Sequence, residues 1–400
     1  MSAPGVISTA SAPAVAARAA RRRNRSVRSA VLGADVKALG GVADAVGRVD
    51  TALSVSGAGS VASRVVLQLY DLAGLYFRAF YALPSSIVGP RGRPVNAIRG
   101  TVDMLARVIA EGCPARAVAC LDVDWRPAWR VALVPSYKAH RVAGEPPMTT
   151  FSGEADAGAP ASDAAVQRMA PSVSEEEVPD ELAWQVPVIL DVLDAVGIAT
   201  AGAPECEADD VIGTLAEMEW TEPVEIVSGD RDLFQLVRDL PTPVTVRYVG
   251  GGMGNAAVID TRLLHERYGV DGPGYAVMAT LRGDPSDGLP GVPGVGEKTA
   301  ARLVADHGSI EAVIAAAQQE PSSFSPALRG RIRGAVDYLR AATPVVHVRR
   351  DAAIEASTPT GSFRLPREAH DPGRLAALAD EHSIGRSIER LLAVLADLPG

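Results

Sequence analysis

The segment Val65-Val66-Leu67-Gln68-Leu69-Tyr70-Asp71 is a short, mostly apolar run that ends in an aspartate. Continuous apolar runs of this length are typical of strands that are buried on both faces of a parallel sheet. The same pattern recurs at Ala117–Leu121, which is followed by Asp122, and at Val224–Val227, which is followed closely by Asp230. The sequence therefore predicts parallel strands that each place an aspartate at the carboxyl end.

Helical patterns lie between these strands, at Ala97–Ile109, Glu181–Val196 and Glu207–Met218. Alternation of strand and helix predicts a doubly wound α/β sheet, in which ligands bind at the carboxyl ends of the strands. After Asp260 the patterns become mostly helical, with one more strand predicted at Pro344–Val348 and a helical pair at 371–396.

Composition divides the chain into segments. The arginine-rich segment 1–63 has no periodic apolar face and is interpreted as a disordered tail or as the product of an upstream start codon. An α/β domain is predicted at 64–258, with a disordered acidic insertion at 144–177. A helical subdomain is predicted at 259–345, and a C-terminal strand with helices at 346–400 is expected to pack back on the first domain.

The overall composition excludes several classes of protein. A hydrophobic share of 47% allows a large core and excludes wholesale disorder, and no apolar run approaches the ~18 residues of a membrane span. Three cysteines without CxxC spacing indicate neither a disulfide framework nor a zinc site, which fits a reducing cytoplasm. The net charge of −9 hides a cationic stretch from Tyr76 to Arg141, and lysine is rare: Lys37, Lys138 and Lys298 are the three in the chain.

Acidic residues gather at predicted strand ends, turns and helix starts. Each of them alone is explained by a turn or by the helix dipole. Together they would raise one another's pKa unless cations neutralise them, and Mg²⁺ or Mn²⁺ suits such oxygen ligands. Two such ions ~4 Å apart are the usual device for phosphodiester cleavage. The candidates are Asp71, Asp122, Glu207, Asp209, Asp210, Asp230, Asp232, Asp284 and Asp287.

The glycine-rich segment Gly291-Val292-Pro293-Gly294-Val295-Gly296-Glu297-Lys298-Thr299 is close to a nucleotide-binding P-loop. Glu297 interrupts that motif, and no strand precedes it, so we reject the NTPase interpretation. As a hairpin between helices, its glycines would expose backbone N–H groups to a phosphate. A plain helix-turn-helix connection needs fewer glycines and prolines.

Taken together, these motifs resemble the 5′ nuclease family, which includes the N-terminal 5′ to 3′ exonuclease domain of bacterial DNA polymerase I and the flap endonucleases. The resemblance spans about residues 64–396 and would make this chain a stand-alone nuclease. It rests on five ordered segments: Tyr70-Asp71 with Arg78-Ala79-Phe80, Asp122 with Arg130 and Tyr137-Lys138-Ala139-His140-Arg141, Glu207-Ala208-Asp209-Asp210, Asp230-Arg231-Asp232-Leu233, and Gly283-Asp284-Pro285-Ser286-Asp287 with the glycine-rich segment.

The resemblance implies a PIN-like, mostly parallel sheet with a helical arch and a helix-hairpin-helix subdomain. It implies a metal-dependent 5′ to 3′ exonuclease or flap endonuclease that acts as a monomer on DNA with a 5′ end or 5′ flap, in the cytoplasm at the nucleoid and with no membrane partner. Asp71, Asp122, Glu207, Asp209 and Asp210 would serve one of two Mg²⁺ (or Mn²⁺) ions, and Asp230, Asp232, Asp284 and Asp287 the other.

The same resemblance implies roles for the basic residues and for the hairpin, which would also hold K⁺. Lys138, Arg141 and Arg78 would be catalytic. Contacts to DNA would come from Arg130, Tyr137, Gly291, Gly294, Gly296, Lys298 and Thr299.

Two features depart from the family's pattern. Leu72-Ala73 follows Asp71 where the family usually has glycine, and the spacing from Asp122 to Arg130 leaves Asp124 as an alternative ligand. Two other interpretations compete with a nuclease: a DNA-binding protein with weak or lost catalysis, and a metal-dependent phosphatase of small molecules.

Overall fold

The computed structural model describes residues 67–142, 178–358 and 362–399. Segment 1–63 and the insertion at 144–177 lie outside the described residues, and so does any part of the expected arch that follows Val142.

A single mixed sheet organises the described part of the chain. Its strands are β1 (Leu67–Asp71), β2 (Arg116–Cys120), β3 (Ala199–Gly202), β4 (Val224–Ser228), β5 (Val244–Tyr248), β6 (Ala257–Ile259) and β7 (Glu355–Ala356). Their order in the sheet is β6-β5-β4-β1-β2-β3-β7. Strands β1 to β5 are parallel, while β6 and β7 are antiparallel edge strands.

The three strands that end near aspartates are present within one or two residues of their predicted bounds. Four others, β3, β5, β6 and β7, were not predicted. β3 has the sequence Ala-Thr-Ala-Gly, which carries little of the bulky β-branched signal of a strand. It is a strand because it pairs with β2, which is a tertiary cause.

The helices occupy both faces of the sheet and build the second half of the chain. They are α1 (Leu72–Ala82), α2 (Asn96–Gly112), α3 (Ala128–Leu133), α4 (Asp180–Ala183), α5 (Gln185–Val196), α6 (Ala208–Met218), α7 (Thr261–Tyr268), α8 (Gly272–Arg282), α9 (Glu297–His307), α10 (Ile310–Gln318), α11 (Pro326–Gly334), α12 (Val336–Val346), α13 (Pro372–His382) and α14 (Gly385–Ala396).

The strand predicted at Pro344–Val348 is wrong, because Pro344 to Val346 form the last turn of α12. Leu339, Ala342, Val345 and Val346 are buried along this helix at helical spacing, and this burial outweighs the local β-branched signal. The strand that does return to the sheet is β7, further along the chain.

Side chains alternate between the two faces of the sheet, so that each face has its own core. In β1, Leu67 and Leu69 join the core that also contains α6 and the helical second half, whereas Tyr70 joins the core that contains α1, α2, α5 and α14. The C-terminal helices pack back on the α/β domain, and Arg390 of α14 pairs with Asp103 of α2 at 2.6 Å.

The strand order brings the predicted aspartates together. β1 lies between β2 and β4, and the helices that lead to these two neighbours lie on opposite faces of the sheet, α1 and α2 before β2 and α6 before β4. This is the switch point where open α/β sheets bind ligands. Asp71, Asp122 and Asp230 all lie at this carboxyl edge. Among the described helices, none has the length and apolar character to cross a bilayer.

Candidate active site

The ends of β1 and β4 are joined through a serine. Asp71 caps α1 by accepting a hydrogen bond from Gly74 N at 2.8 Å, and its other carboxylate oxygen accepts one from Ser228 Oγ at 2.7 Å. Ser228 Oγ in turn accepts from Asp230 N at 2.9 Å. A Cβ at Gly74 would lie 2.2 Å from Asp71 Oδ2, so the carboxylate needs a glycine at this position. Leu72 and Ala73 directly follow Asp71, and the glycine that the carboxylate needs lies at the third position after it.

The amino end of α6 brings in the second group of carboxylates. Asp122 Oδ1 accepts a hydrogen bond from Ala208 N at 2.6 Å, which ties the end of β2 to the first turn of α6. Asp124 instead accepts from Arg126 N at 3.1 Å in its own turn. Of the two alternatives for a ligand, Asp122 is therefore the one that contacts the Glu207-Ala208-Asp209-Asp210 segment.

The third group comes from the loop after α8, which docks on the segment that carries Lys138. Lys138 N donates to Asp287 O at 2.9 Å, and Ser136 Oγ donates to Gly288 O at 2.7 Å. Gly288 has φ +70°, and a Cβ there would lie 2.0 Å from Ser136 O. Asp284 Oδ1 stays within the loop and accepts from Ser286 N at 2.8 Å.

Two cations adjoin this loop. Arg141 donates to Asp287 Oδ1 and to Ser286 O, both at 2.8 Å. Lys138 is buried and forms an ion pair with Glu207 Oε2. Its backbone is left-handed, with φ +48°, a conformation that costs free energy in a non-glycine residue and that the Asp287 contact stabilises.

The carboxylates lack sufficient neutralising charge. Burial, and then repulsion from Asp230, raise the pKa of Asp209 and of Asp232 well above the ordinary range. Burial is also the main reason that the pKa of Asp122 rises to about 7, against the opposing effect of Lys138. Burial raises the pKa of Asp71 as well. These shifts mean that added positive charge would stabilise the ionised cluster.

Lys138 supplies part of that charge. Burial alone would lower the pKa of its ammonium, but Glu207, Tyr137, Asp287 and Asp122 outweigh burial, and the pKa is raised well above the ordinary value. Lys138 therefore keeps its charge in the cluster.

Asp210 and Arg130 differ from their predicted roles as metal ligand and DNA contact. Asp210 is fully buried, and its two oxygens accept four hydrogen bonds, from Arg130 Nη1 and Nη2, Arg349 N and Glu207 N. No lone pair is left for a metal ion. Arg130 is 2% exposed, so its guanidinium does not reach a duplex on the surface.

Tyr137 and Gly291 also lie inside the protein instead of facing DNA. Tyr137 is buried, and its hydroxyl donates to Glu207 Oε1 at 2.8 Å. Gly291 N donates to the Tyr338 hydroxyl at 3.0 Å, and a Cβ at Gly291 would lie 2.3 Å from Arg282 O. Gly291 is thus required for close packing of the backbone, which accounts for one glycine that the sequence interpretation had assigned to phosphate binding.

The remaining hairpin residues are accessible. Gly294 and Gly296 are exposed, with φ +70° at Gly294, and Gly296 caps α9 without a side chain. Lys298 is exposed and Thr299 half-buried in the first turn of that helix. Arg331 of α11 donates to Gly294 O at 3.4 Å and adds a cation that the sequence interpretation had missed.

Arg78 lies on α1 at the rim of the carboxyl edge. Its Nη1 donates to Gly250 O at 3.2 Å, while its buried Nε has no hydrogen-bond partner among the described residues. A Cβ at Gly229, between Ser228 and Asp230, would lie 2.7 Å from Arg78 Nη2. Arg78 therefore packs against the turn that carries Asp230.

The donor set fits hard divalent cations. Within the described ranges, no three acidic, histidine or cysteine side chains lie close enough to share one ion. Mg²⁺ keeps several waters, however, and takes one or two protein carboxylates directly, so it needs no closed cage. A cavity of about 20 Å³, roughly the space of one water, lies among Glu207, Asp209, Asp232 and Asp287.

Comparison with known proteins follows the same division of the chain. Residues 66–269 match the model of the 5'-3' exonuclease N-terminal resolvase-like domain, and residues 271–369 match that of the 5'-3' exonuclease C-terminal SAM fold. A 5'-3' exonuclease of Mycobacterium tuberculosis is 49% identical over 341 residues, which cover 84% of this chain and 100% of that protein.

More distant relatives include a DNA polymerase I of Mycobacterium bovis, which is 35% identical over 277 residues, covering 68% of this chain and 26% of the polymerase. A crystal structure of the T5 D15 protein with metal ions aligns with a TM-score of 0.48 at 14% identity, covering 83% of this chain and 99% of that one. On the two domain models and the full-length relative, the chain belongs to the 5'-3' exonuclease family.

Proposed function

We propose that this chain is a divalent-metal-dependent 5′ nuclease, which hydrolyses phosphodiester bonds at the 5′ ends or 5′ flaps of DNA, with primer RNA as an alternative substrate. The observation that carries the proposal is the convergence of carboxylates from β1, β2, β4, α6 and the loop after α8 on one edge of the sheet, beside two cations.

Two Mg²⁺ or Mn²⁺ ions would activate the attacking water and stabilise the leaving oxygen. We assign their binding to Asp71, Asp122, Glu207, Asp209, Asp230, Asp232, Asp284 and Asp287. Lys138 and Arg141 would donate to the phosphate oxygens, where negative charge increases in the transition state. Arg78 would hold the turn of Asp230 and contact the substrate from the rim.

The hairpin would bind the duplex part of the substrate. Exposed backbone amides at Gly294 and Gly296 and the Lys298 ammonium suit a phosphate, with Thr299 beside them. The hairpin residues would hold K⁺, which would supply positive charge near the phosphate. We propose that the protein acts as a monomer, and its DNA substrate would place it at the nucleoid in the cytoplasm.

A catalytically weak, structure-specific DNA-binding protein is the second candidate. It would keep the hairpin surface but would not need the acidic cluster. A small-molecule phosphatase would need the cluster but would not need the hairpin.

The test is a gel assay on a 5′-flap duplex with Mg²⁺, with and without EDTA. We expect cleavage of the 5′-flap duplex in Mg²⁺, and we expect EDTA to abolish it. Binding without cleavage would favour the second candidate, and hydrolysis of a small phosphomonoester alone would favour the phosphatase.

A further inference from the structure

Arg130 lies at the junction of three elements, beneath the carboxylate cluster. It is on α3 and is 2% exposed, and its guanidinium carbon lies 4.6 Å from the centre of the Trp129 ring and 5.9 Å from that of Tyr137. Its Nε donates to Val345 O, near the end of α12, at 3.2 Å. Its Nη1 and Nη2 reach the first turn of α6.

The contacts of Arg130 use the shape of a guanidinium. Nη1 donates to Asp210 Oδ2 at 2.9 Å and to Glu207 Oε1 at 3.1 Å, while Nη2 donates to Asp210 Oδ1 at 2.7 Å. Together with Nε, four of the five N–H groups of an arginine are directed at protein oxygens. A lysine at this position would offer one point charge and could not maintain the two-pronged contact.

Glu207 transmits this arrangement to Lys138. One oxygen of Glu207 accepts from Arg130 and from the Tyr137 hydroxyl, and the other forms the ion pair with Lys138. Because Asp210 anchors Arg130, and Arg130 fixes Glu207, the orientation of Glu207 depends on the buried pair. Replacing a buried ion pair by apolar groups is often neutral for stability, so stability alone does not account for such a pair.

We propose that Arg130 is a positioning residue for the cleavage reaction. Anchored by Asp210, it holds Glu207, and Glu207 in turn holds the Lys138 ammonium beside the carboxylate cluster. The proposal rests on the proposed function for its role in cleavage. The placement of Lys138 by Arg130 and Glu207 is a property of the protein without substrate, so it can be measured independently of cleavage.

The measurement of position uses the scarcity of lysine. The chain has three lysines, and the exposed Lys298 serves as an internal reference for Lys138. Reductive methylation of the full chain without metal or DNA, followed by mass spectrometry, gives the labelling rate of Lys138 relative to Lys298. The variant is Arg130→Gln, and the matched control is Arg116→Gln, which removes an arginine that pairs with Glu219 and Glu222 at the opposite edge of the sheet.

We expect relative labelling of Lys138 to rise several-fold in Arg130→Gln and to stay at the wild-type value in Arg116→Gln. Misplacement of a reacting group costs about 100-fold in rate, so the single-turnover cleavage rate of Arg130→Gln should fall roughly 10- to 100-fold. The dissociation constant for the flap DNA in Ca²⁺ should change little. Arg116→Gln should keep the rate at temperatures well below its Tm.

Unchanged labelling of Lys138, or a rate loss no larger than that of the control, would overturn the proposal. If Arg130→Gln does not fold, the double variant Arg130→Met with Asp210→Asn removes both buried charges and is judged by the same two criteria. The two proposals can fail separately. If the wild-type protein does not cut DNA, but labelling of Lys138 still rises in Arg130→Gln, the proposed function is refuted and the positional role of Arg130 stands.

Discussion

Lys138 combines a strained backbone, a buried side chain and a positive charge within the site. It has a left-handed backbone, lies among four acidic or phenolic groups that raise its pKa, and is held through its own N–H by the Asp287 carbonyl. The sequence pattern singled it out as one of three lysines in an arginine-rich chain. The pattern could not show that Glu207 is its partner, because that contact joins residues 69 positions apart.

We predict that Lys138→Ala lowers the single-turnover cleavage rate far more than it weakens DNA binding. A cation that stabilises the transition state more than the ground state contributes to rate, and losing one such group costs about 10² to 10³. The comparison is Lys298→Ala, which removes an exposed cation at the hairpin and should weaken binding with little effect on the saturated rate. Rates are measured with enzyme in excess, and dissociation constants in Ca²⁺. A raised dissociation constant with an intact rate in Lys138→Ala would make it a docking residue.

The strands and helices show which sequence patterns were sufficient to predict secondary structure. Strands β1, β2 and β4 were predicted because buried parallel strands are continuous apolar runs, and the helix predicted at Glu207–Met218 is present as α6, one residue shorter. The error at Pro344–Val348 arose because a short apolar run fits a strand or a buried helix equally well. The burial and the internal contacts of Arg130, Asp210, Tyr137 and Gly291 were not foreseen, because motif spacing does not report burial.

At the hairpin, we predict that Gly294→Val weakens binding to duplex-bearing substrates. A side chain there would crowd Arg331 and block the approach of a phosphate to the backbone amides. The matched control is Gly308→Val, since Gly308 also has a left-handed backbone, with φ +76° against +70° at Gly294, but lies at the far end of α9. Both variants should lose stability, and Gly294→Val alone should lose duplex affinity, measured by fluorescence anisotropy. Equal affinity losses would assign the effect to strain.

Glu219 lies at the amino ends of the strands, on the side of the sheet away from the site. It follows the last residue of α6 and forms an ion pair with Arg116, the first residue of β2. Burial alone would raise its pKa, but hydrogen bonds from Thr221 and Arg116 outweigh burial and lower the pKa to about 2, from 4.5. A lowered pKa contributes stability that is present above the unfolded value and is lost as the pH falls towards the folded value. The difference in Tm between wild type and Glu219→Gln should therefore be largest at pH 7 and shrink by pH 3. An equal difference at both pH values would show that the ionised form is not the stabilising one.

For the whole molecule, the topology decides where the chemistry lies. Three aspartates far apart in the chain meet because the strand order places β1 between β2 and β4, and the helical second half then brings the Asp284–Asp287 loop against the Lys138 segment. The meeting of the three aspartates was predicted from the parallel strands alone. The docking of the Asp284–Asp287 loop depends on contacts between distant residues, such as Ser136 with Gly288, which no local sequence pattern indicates.

The central claim is that the carboxyl edge of the sheet is a metal-dependent nuclease centre, and Asp230→Asn tests it most directly. This change removes one negative charge at the end of β4 and leaves the Ser228 contact to Asp71 in place. The measurement is the single-turnover rate on a 5′-flap duplex in Mg²⁺, together with the dissociation constant in Ca²⁺. We predict that cleavage is lost while DNA binding is unchanged or tighter, because repulsion of the phosphate backbone decreases. Cleavage at a near wild-type rate would contradict the account.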